Sequence, residues 1–228
     1  MKAKAGMNQT LPTIILFDCD GVLIDSEVIA CRVELDVLGE IGHPITLEAF
    51  QSRFVGTSRQ FSLEALAEDW GRPLPANYGE LVRDRLDNVF RKELRPVDGM
   101  LDLVRRTEGR SAVASSSAIS RLGLTLGLTG YDALFGDRVF SADQVRHGKP
   151  APDLFLFAAA RLGVFPEQCV VIEDSPFGVV AARAAGMHVI GFTAGAHCGP
   201  DHGQKLLQAG AERIAKDAPG LAGLIHTN

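Results

Sequence analysis

The sequence predicts an α/β fold: a doubly wound parallel sheet with helices on both faces and a small α-helical segment inserted after the first strand. Three observations predict it. Short β-branched and aromatic runs alternate with stretches of helical spacing, the order expected of a parallel sheet; the clearest are Ile14-Ile15-Leu16-Phe17, Ser111-Ala112-Val113-Ala114, Cys169-Val170-Val171-Ile172 and His188-Val189-Ile190-Gly191-Phe192. Three of these runs end in polar groups, at Asp18 and Asp20, at Ser115, and at Glu173 with Asp174. Between residues 27 and 96 the spacing is helical and no strand is legible.

The elements follow in order. Residues 1–12 read as a flexible tail, and Thr13–Phe17 as a buried first strand. Val28, Ile29, Val33, Leu35, Val37 and Leu38 predict a helix ending near Gly39. Residues 47–50, 61–70 and 78–94 predict further helices, separated by Gly56-Thr57-Ser58 and the breaker run Gly71-Arg72-Pro73-Leu74-Pro75. Pro96-Val97-Asp98-Gly99 is a turn back into the main domain. The implied boundaries are a core of 13–26 plus 97–228 and an α-helical cap of 27–96. Helices are expected at 100–107, 119–126, 154–162, 203–209 and 219–225, with a short strand at 137–140 and an edge strand near 213–215. Pro176 opens one more helix, which Gly186 ends. This alternation is that of a Rossmann-like sheet.

Composition bounds the function. The 228 residues are 46% hydrophobic and 22% charged, enough apolar material for a real core. A net charge of −5 gives no electrostatic case for nucleic acid, although a metal and a few local cations can still hold a small anion in one cleft. Cys19, Cys31, Cys169 and Cys198 are scattered, with no CxxC pair, and read as reduced thiols of a cytoplasmic protein. The polar stretch Met1–Thr10 lacks the apolar core of a signal peptide, and no run approaches a membrane span. Neither nucleic acid nor membrane is expected as a partner, and the expected state is a monomer or weak dimer.

In a parallel sheet the polar strand ends share one edge, where open α/β sheets place ligands. On a continuing strand Asp18 and Asp20 would share a face; a turn after Asp18 would instead aim both at one pocket from different directions. The plain structural reading makes them an N-cap acid and a turn acid. Lys149 lies in the stiff run Gly148-Lys149-Pro150-Ala151-Pro152-Asp153. Acids for a hard cation, a hydroxyl, an ammonium and glycine turns are the parts that a phosphoryl group beside Mg²⁺ needs. An aspartate serves as nucleophile in such chemistry, and a second acid protonates the leaving oxygen and then activates water.

Asp18-x-Asp20-Gly21-Val22, the apolar strand ending in Ser115, Gly148-Lys149-Pro150-x-Pro152-Asp153 and Ile172-Glu173-Asp174-Ser175 resemble the four ordered motifs of the haloacid dehalogenase superfamily. The inserted helices resemble the cap of its phosphoglycolate phosphatase, β-phosphoglucomutase and sugar phosphatase subgroup. The resemblance implies Asp18 as nucleophile and metal ligand, and Asp20 as acid/base with its main-chain carbonyl on the metal. It implies Ser115 and Lys149 on the phosphoryl group, Lys149 also pairing with Asp18. Asp174 would complete a Mg²⁺ site, with Glu173 bound directly or through water. Gly21, Ser116 and Ser117 would border the substrate. Ser115 could instead cap the following helix, and Lys149 could be a solvated loop residue.

Within that superfamily the dehalogenase and phosphonate-cleaving branches lack an acid at the position of Asp20, so the resemblance implies a phosphatase of a small phosphorylated metabolite: a sugar phosphate, sugar-acid phosphate or phosphoglycolate. Gly56 and Arg59, in Val55-Gly56-Thr57-Ser58-Arg59, resemble the substrate-reading loop of β-phosphoglucomutase. The mutases, however, carry a histidine where Ala30 stands and an asparagine where Ile119 stands. A sugar phosphomutase and a catalytically idle binding protein of the same fold are the alternatives. His197-Cys198 and His202 are soft-metal donors with no fourth ligand at suitable spacing, and are expected in a surface loop. Cys19 is expected to point into the core, and Trp70 with Phe61, Leu63 and Leu66 to form the core of the inserted helices.

Overall fold

The computed structural model describes residues 14–54, 59–107 and 109–226; the side chains of 51–54, 59–61 and 226 lie outside it. The predicted tail and Thr13, as well as Gly56, therefore fall outside the described residues.

The strands are β1 (Ile14–Phe17), β2 (Ser111–Ser115), β3 (Val139–Ser141), β4 (Cys169–Glu173), β5 (His188–Phe192) and β6 (Arg213–Ala215). They form one six-stranded sheet in the order β3-β2-β1-β4-β5-β6, with every pairing parallel. Chain order reverses between β1 and β4, which is the switch point where such sheets open a ligand crevice.

The helices are α1 (Glu27–Glu40), α2 (Leu47–Phe54), α3 (Arg59–Trp70), α4 (Tyr78–Glu93), α5 (Met100–Arg105), α6 (Ile119–Thr129), α7 (Asp132–Phe135), α8 (Asp153–Leu162), α9 (Pro176–Ala184), α10 (His202–Ala209) and α11 (Ala218–His226). Side chains alternate across each strand and so feed two cores. Ile15, Phe17, Val113, Ile172 and Phe192 bury on one face with Leu122, Tyr131 and Leu221. Leu16, Ala112, Val171 and Val189 bury on the other with Leu154, Phe155, Val179 and Leu206.

Helices α1 to α4 have a cluster of their own, of Cys31, Val37, Leu38, Phe50, Leu66, Tyr78 and Val82, with Leu63 packed against it. Ile29 and Val33 of α1 and Leu86 and Phe90 of α4 bury in the sheet's core; on α4 they continue the same i, i+4 stripe as Tyr78 and Val82, so that the helix passes from one cluster to the other along its length. Trp70 stacks on His43 and carries the Arg72 guanidinium 3.7 Å from its ring, at the margin of that cluster. The two connections to the sheet run side by side. Asp25 N–H donates to Arg95 O at 3.1 Å, Val97 N–H donates to Leu23 O at 2.9 Å, and Ile24 bridges Pro96.

Two differences from the sequence reading have simple causes. Helix α7 is four residues long, too short to show a period, and is held by the buried rings of Tyr131 and Phe135. The strand expected at 137–140 is Val139–Ser141, because Arg138 N–H caps the preceding turn on Phe135 O.

Candidate active site

The sheet register builds the site. Phe17 pairs with Val113 on one side and Ile172 on the other, so Ala114, Asp18 and Glu173 follow at one level across three strands. The Lys149 ammonium spans that level. It donates to Asp18 Oδ1 at 2.6 Å, Ala114 O at 2.9 Å and Glu173 Oε1 at 2.5 Å, and lies 5.0 Å from the Phe155 ring. All three of its donors are engaged. Burial opposes its charge, but Asp18 and Glu173 outweigh burial and push the ammonium above its ordinary range. The solvated-loop reading of Lys149 is thereby excluded: its side chain is 4% exposed.

After Asp18 the strand stops. Leu23 and Ile24 N–H groups both return to Cys19 O, and Gly21 N–H donates to Ile24 O at 2.8 Å. This turn sends Asp20 to a different environment from Asp18. Ser26 Oγ donates to Asp20 Oδ1 at 2.6 Å and Ser117 Oγ donates to Oδ2 at 2.7 Å. Of the two geometries open to the sequence, the turn is realised. Cys19 is fully buried among the apolar side chains of the core, as expected.

Ser115 Oγ accepts from Ser117 N–H at 3.0 Å, and α6 begins four residues later behind Ala118, so Ser115 does not cap that helix. Its own O–H remains a donor at the strand end. Ser116 is exposed.

Glu173 is fully buried and satisfied by protein. Lys149 holds Oε1, while the Ser175 N–H and hydroxyl both donate to Oε2 at 3.0 Å. Gly178 on α9 admits this carboxylate, since a Cβ there would lie 1.8 Å from Oε1. Asp174 faces the opposite way, with Oδ2 3.0 Å from His197 Nε2. Burial, reinforced by Glu173, pushes the Asp174 carboxyl well above its usual range. Burial likewise raises Asp18; Lys149 offsets part of this, and Glu173, Asp174 and Asp20 add to it.

A divalent cation fits these residues. Asp18, Glu173 and Asp174 each place a carboxylate oxygen within 4.8 Å of the others'. One ammonium stands against the four acids Asp18, Asp20, Glu173 and Asp174, and a dication is the charge that such a cluster lacks. Because both Glu173 oxygens already have donors, Asp18 and Asp174 are the better-placed ligands, with Glu173 acting on them through Lys149 and Ser175.

Four contributors went unread in the sequence as site residues. Ser26 holds Asp20. Glu27 opens α1 beside Asp20 and Asp174; burial, then those two acids, push its carboxyl up to about 7. His197 pairs with Asp174, and His202 Nε2 donates to Asp174 O at 2.5 Å. The expected surface loop is therefore the wall of the site. The signal was present in the adjacent Asp25-Ser26-Glu27, but nothing in the spacing places residue 197 against residue 174. Arg59 begins α3, with its side chain outside the described residues, so it and Gly56 are not brought to the site.

Comparison with known proteins agrees with this arrangement. A family model described as haloacid dehalogenase-like hydrolase matches residues 12–186. The chain is 37% identical over 183 residues to a fructose-1-phosphate phosphatase of Escherichia coli (strain K12), covering 77% of this chain and 94% of that one. A solved conserved haloacid dehalogenase-like protein of unknown function from Agrobacterium tumefaciens superposes with a TM-score of 0.83 at 37% identity, covering 94% of this chain and 98% of that one. A haloacid dehalogenase family hydrolase from Deinococcus radiodurans, with bound phosphate and sodium, gives a TM-score of 0.78 at 34% identity, covering 95% and 97%. With the four motifs converging on one sheet edge and the family matched over most of its length, the chain belongs to the haloacid dehalogenase-like hydrolases.

Proposed function

We propose that this hydrolase is a Mg²⁺-dependent phosphoric monoester hydrolase of small phosphorylated sugars or sugar acids, working through an aspartyl-phosphate on Asp18. The observation that carries the reading is the division of two carboxylates two residues apart. Asp18 is clamped by Lys149 at 2.6 Å, while Asp20 is held by two serine hydroxyls at 2.6 and 2.7 Å. The fructose-1-phosphate phosphatase relative and the phosphate bound in the Deinococcus neighbour support the substrate class.

Asp18 attacks phosphorus, and the P–O bond to the sugar breaks. Asp20 gives the departing alkoxide its proton. Asp20 then takes a proton from water, whose oxygen attacks the same phosphorus; the P–O bond to Asp18 breaks and inorganic phosphate leaves. Lys149 fixes the rotamer of Asp18, and the Ser115 O–H is a donor for a phosphoryl oxygen. Asp18, Asp174 and the main-chain carbonyl of Asp20 would hold Mg²⁺, which would supply the positive charge that keeps Asp18 ionised and neutralises the phosphoryl oxygens. Residues 27–96 act as a cap that closes on the paired connections near residues 24–27 and 95–97 and excludes water.

A mutase differs in the acceptor. Ala30 packs against the core and Ile119 is 46% exposed, so neither position offers the imidazole or amide that the mutase subgroup uses. The test is phosphate release from fructose 1-phosphate, 6-phosphogluconate, glucose 1-phosphate and phosphoglycolate in Mg²⁺. Wild type is expected to release phosphate from at least one of them. Asp18→Asn is expected to lose on the order of 10³-fold or more in kcat. Conversion of glucose 1-phosphate to its isomer without phosphate release, or activity retained in Asp18→Asn, overturns the reading.

A further inference from the structure

We propose that His197, Cys198 and His202, with Asp174 as the fourth donor, form a binding site for a soft divalent cation of the zinc class. One ligand atom from each of the first three lies within 4.8 Å of the others. Cys198 Sγ is 3.4 Å from His197 Nε2, which is 3.0 Å from Asp174 Oδ2. A tetrahedral cation with bonds of about 2.3 Å to sulfur and about 2.0 Å to nitrogen or oxygen has ligand–ligand edges of about 3.3–3.6 Å, which the two edges at His197 Nε2 approach, while His202 has to turn inward from its bond to Asp174 O.

The site is built rather than incidental. A Cβ on Gly21 would approach the His197 ring to 2.7 Å and one on Gly195 to 2.8 Å, so two glycines make room for the imidazole. The His197 side chain is 7% exposed, and the nitrogen it turns toward Cys198 Sγ and Asp174 Oδ2 is Nε2. The His202 ring stands at 83° to the His197 ring, with centroids 5.5 Å apart, and exchanges its bond to Asp174 O for the metal. A thiolate and a carboxylate neutralise a dication, and two neutral imidazoles complete four-coordination. Binding displaces the thiol proton to solvent and forms the S–metal bond.

A soft dication on Asp174 draws this carboxylate's charge away from Asp18 and Glu173 and sets a second dication beside the Mg²⁺ position, which weakens Mg²⁺ there. The loop is thus an inhibitory site for the hydrolase; this consequence rests on the proposed function, whereas the binding site does not.

Two measurements separate the parts. Metal-free full-length protein titrated with Co²⁺ is expected to take up one equivalent with the intense visible bands of four-coordinate cobalt and a near-ultraviolet thiolate band. Both are lost in Cys198→Ala and in His202→Gln. Octahedral, thiolate-free cobalt alone, or a thiolate band that survives in Cys198→Ala, overturns the site. In Mg²⁺ with fructose 1-phosphate, Cys198→Ala is expected to keep the zinc-free rate and to need about tenfold more Zn²⁺ for half-inhibition. Equal zinc sensitivity of the two proteins overturns the sharing of Asp174. The cobalt spectrum requires no turnover, so it stands even if none of these esters is a substrate.

Discussion

A methyl group on Gly21 would land 2.0 Å from Asp174 Oδ2, and the φ of 78° strains any L side chain. Gly21→Ala is expected to cost about 1–3 kcal/mol of stability in a urea melt and to cut phosphate release at least about tenfold. Ser117→Ala removes one of the two hydroxyls that fix Asp20. Its expected effect is smaller: kcat falls about tenfold, the worth of one charge-assisted hydrogen bond, with KM little changed. A KM rise at constant kcat would mean that Ser117 binds substrate instead of orienting the acid. At this scale the sequence was informative about chemistry and silent about direction. Asp18 and Asp20 stood out as two acids at a strand end, but their division required the turn that Gly21 permits. His197 carried no local signal, because its partner Asp174 is fixed by a contact across the fold, whereas Ser26 stood six residues from Asp20 in the same acidic stretch.

Among the elements, α1 and α4 each contribute to both cores, α4 along one stripe in which Tyr78 and Val82 join the smaller cluster and Leu86 and Phe90 the sheet's core. Leu66 on α3 is fully buried in the smaller cluster. Leu66→Ala is expected to cost about 2–5 kcal/mol, read as a lower denaturant midpoint. Because α1 leads directly from Asp20 and Ser26, loosening it is also expected to lower kcat for a sugar phosphate more than for a small aryl phosphate. An equal loss for both substrates would argue against a cap that selects the leaving group. Apolar periodicity made α1 to α4 legible, as each of them spans two turns or more. It missed α7, whose four residues owe their helical form to Tyr131 and Phe135 packing beneath them.

For the molecule as a whole, the acid cluster sets the pH response. Asp18 and Asp174 hold their protons well above the usual carboxylate range, and Glu27 holds its proton up to about 7. These carboxyls make the folded chain bind more protons than the unfolded one, so their contribution to stability falls as pH rises, while His197 and His202, which burial lowers, act in the opposite direction up to their ordinary value of about 6.5. The contribution is fully present below the unfolded carboxylate values of about 4 and is lost as pH climbs through 7. Lys149 is raised as well, so its contribution is flat here and is lost only in strong alkali. In EDTA, Tm is therefore expected to drop between about pH 6.5 and pH 8, where the histidines are neutral in both states. Mg²⁺ at about 100 times its Kd is expected to restore about 2.7 kcal/mol near pH 8, flattening the profile. A Tm that rises over the same pH interval in EDTA would contradict the cluster's electrostatics. The sequence by itself determined the alternation of strands and helices, the helical insertion and the polar residues that stand at the strand ends, because these follow from local periodicity and from residue types at strand ends. Only the tertiary structure decided which acid meets which partner. Parallel register brought Lys149 across Asp18, Ala114 and Glu173. The return of the chain after β5 laid His197 and His202 against Asp174, just past the end of β4, with Cys198 beside His197, a meeting that no spacing in the sequence announces.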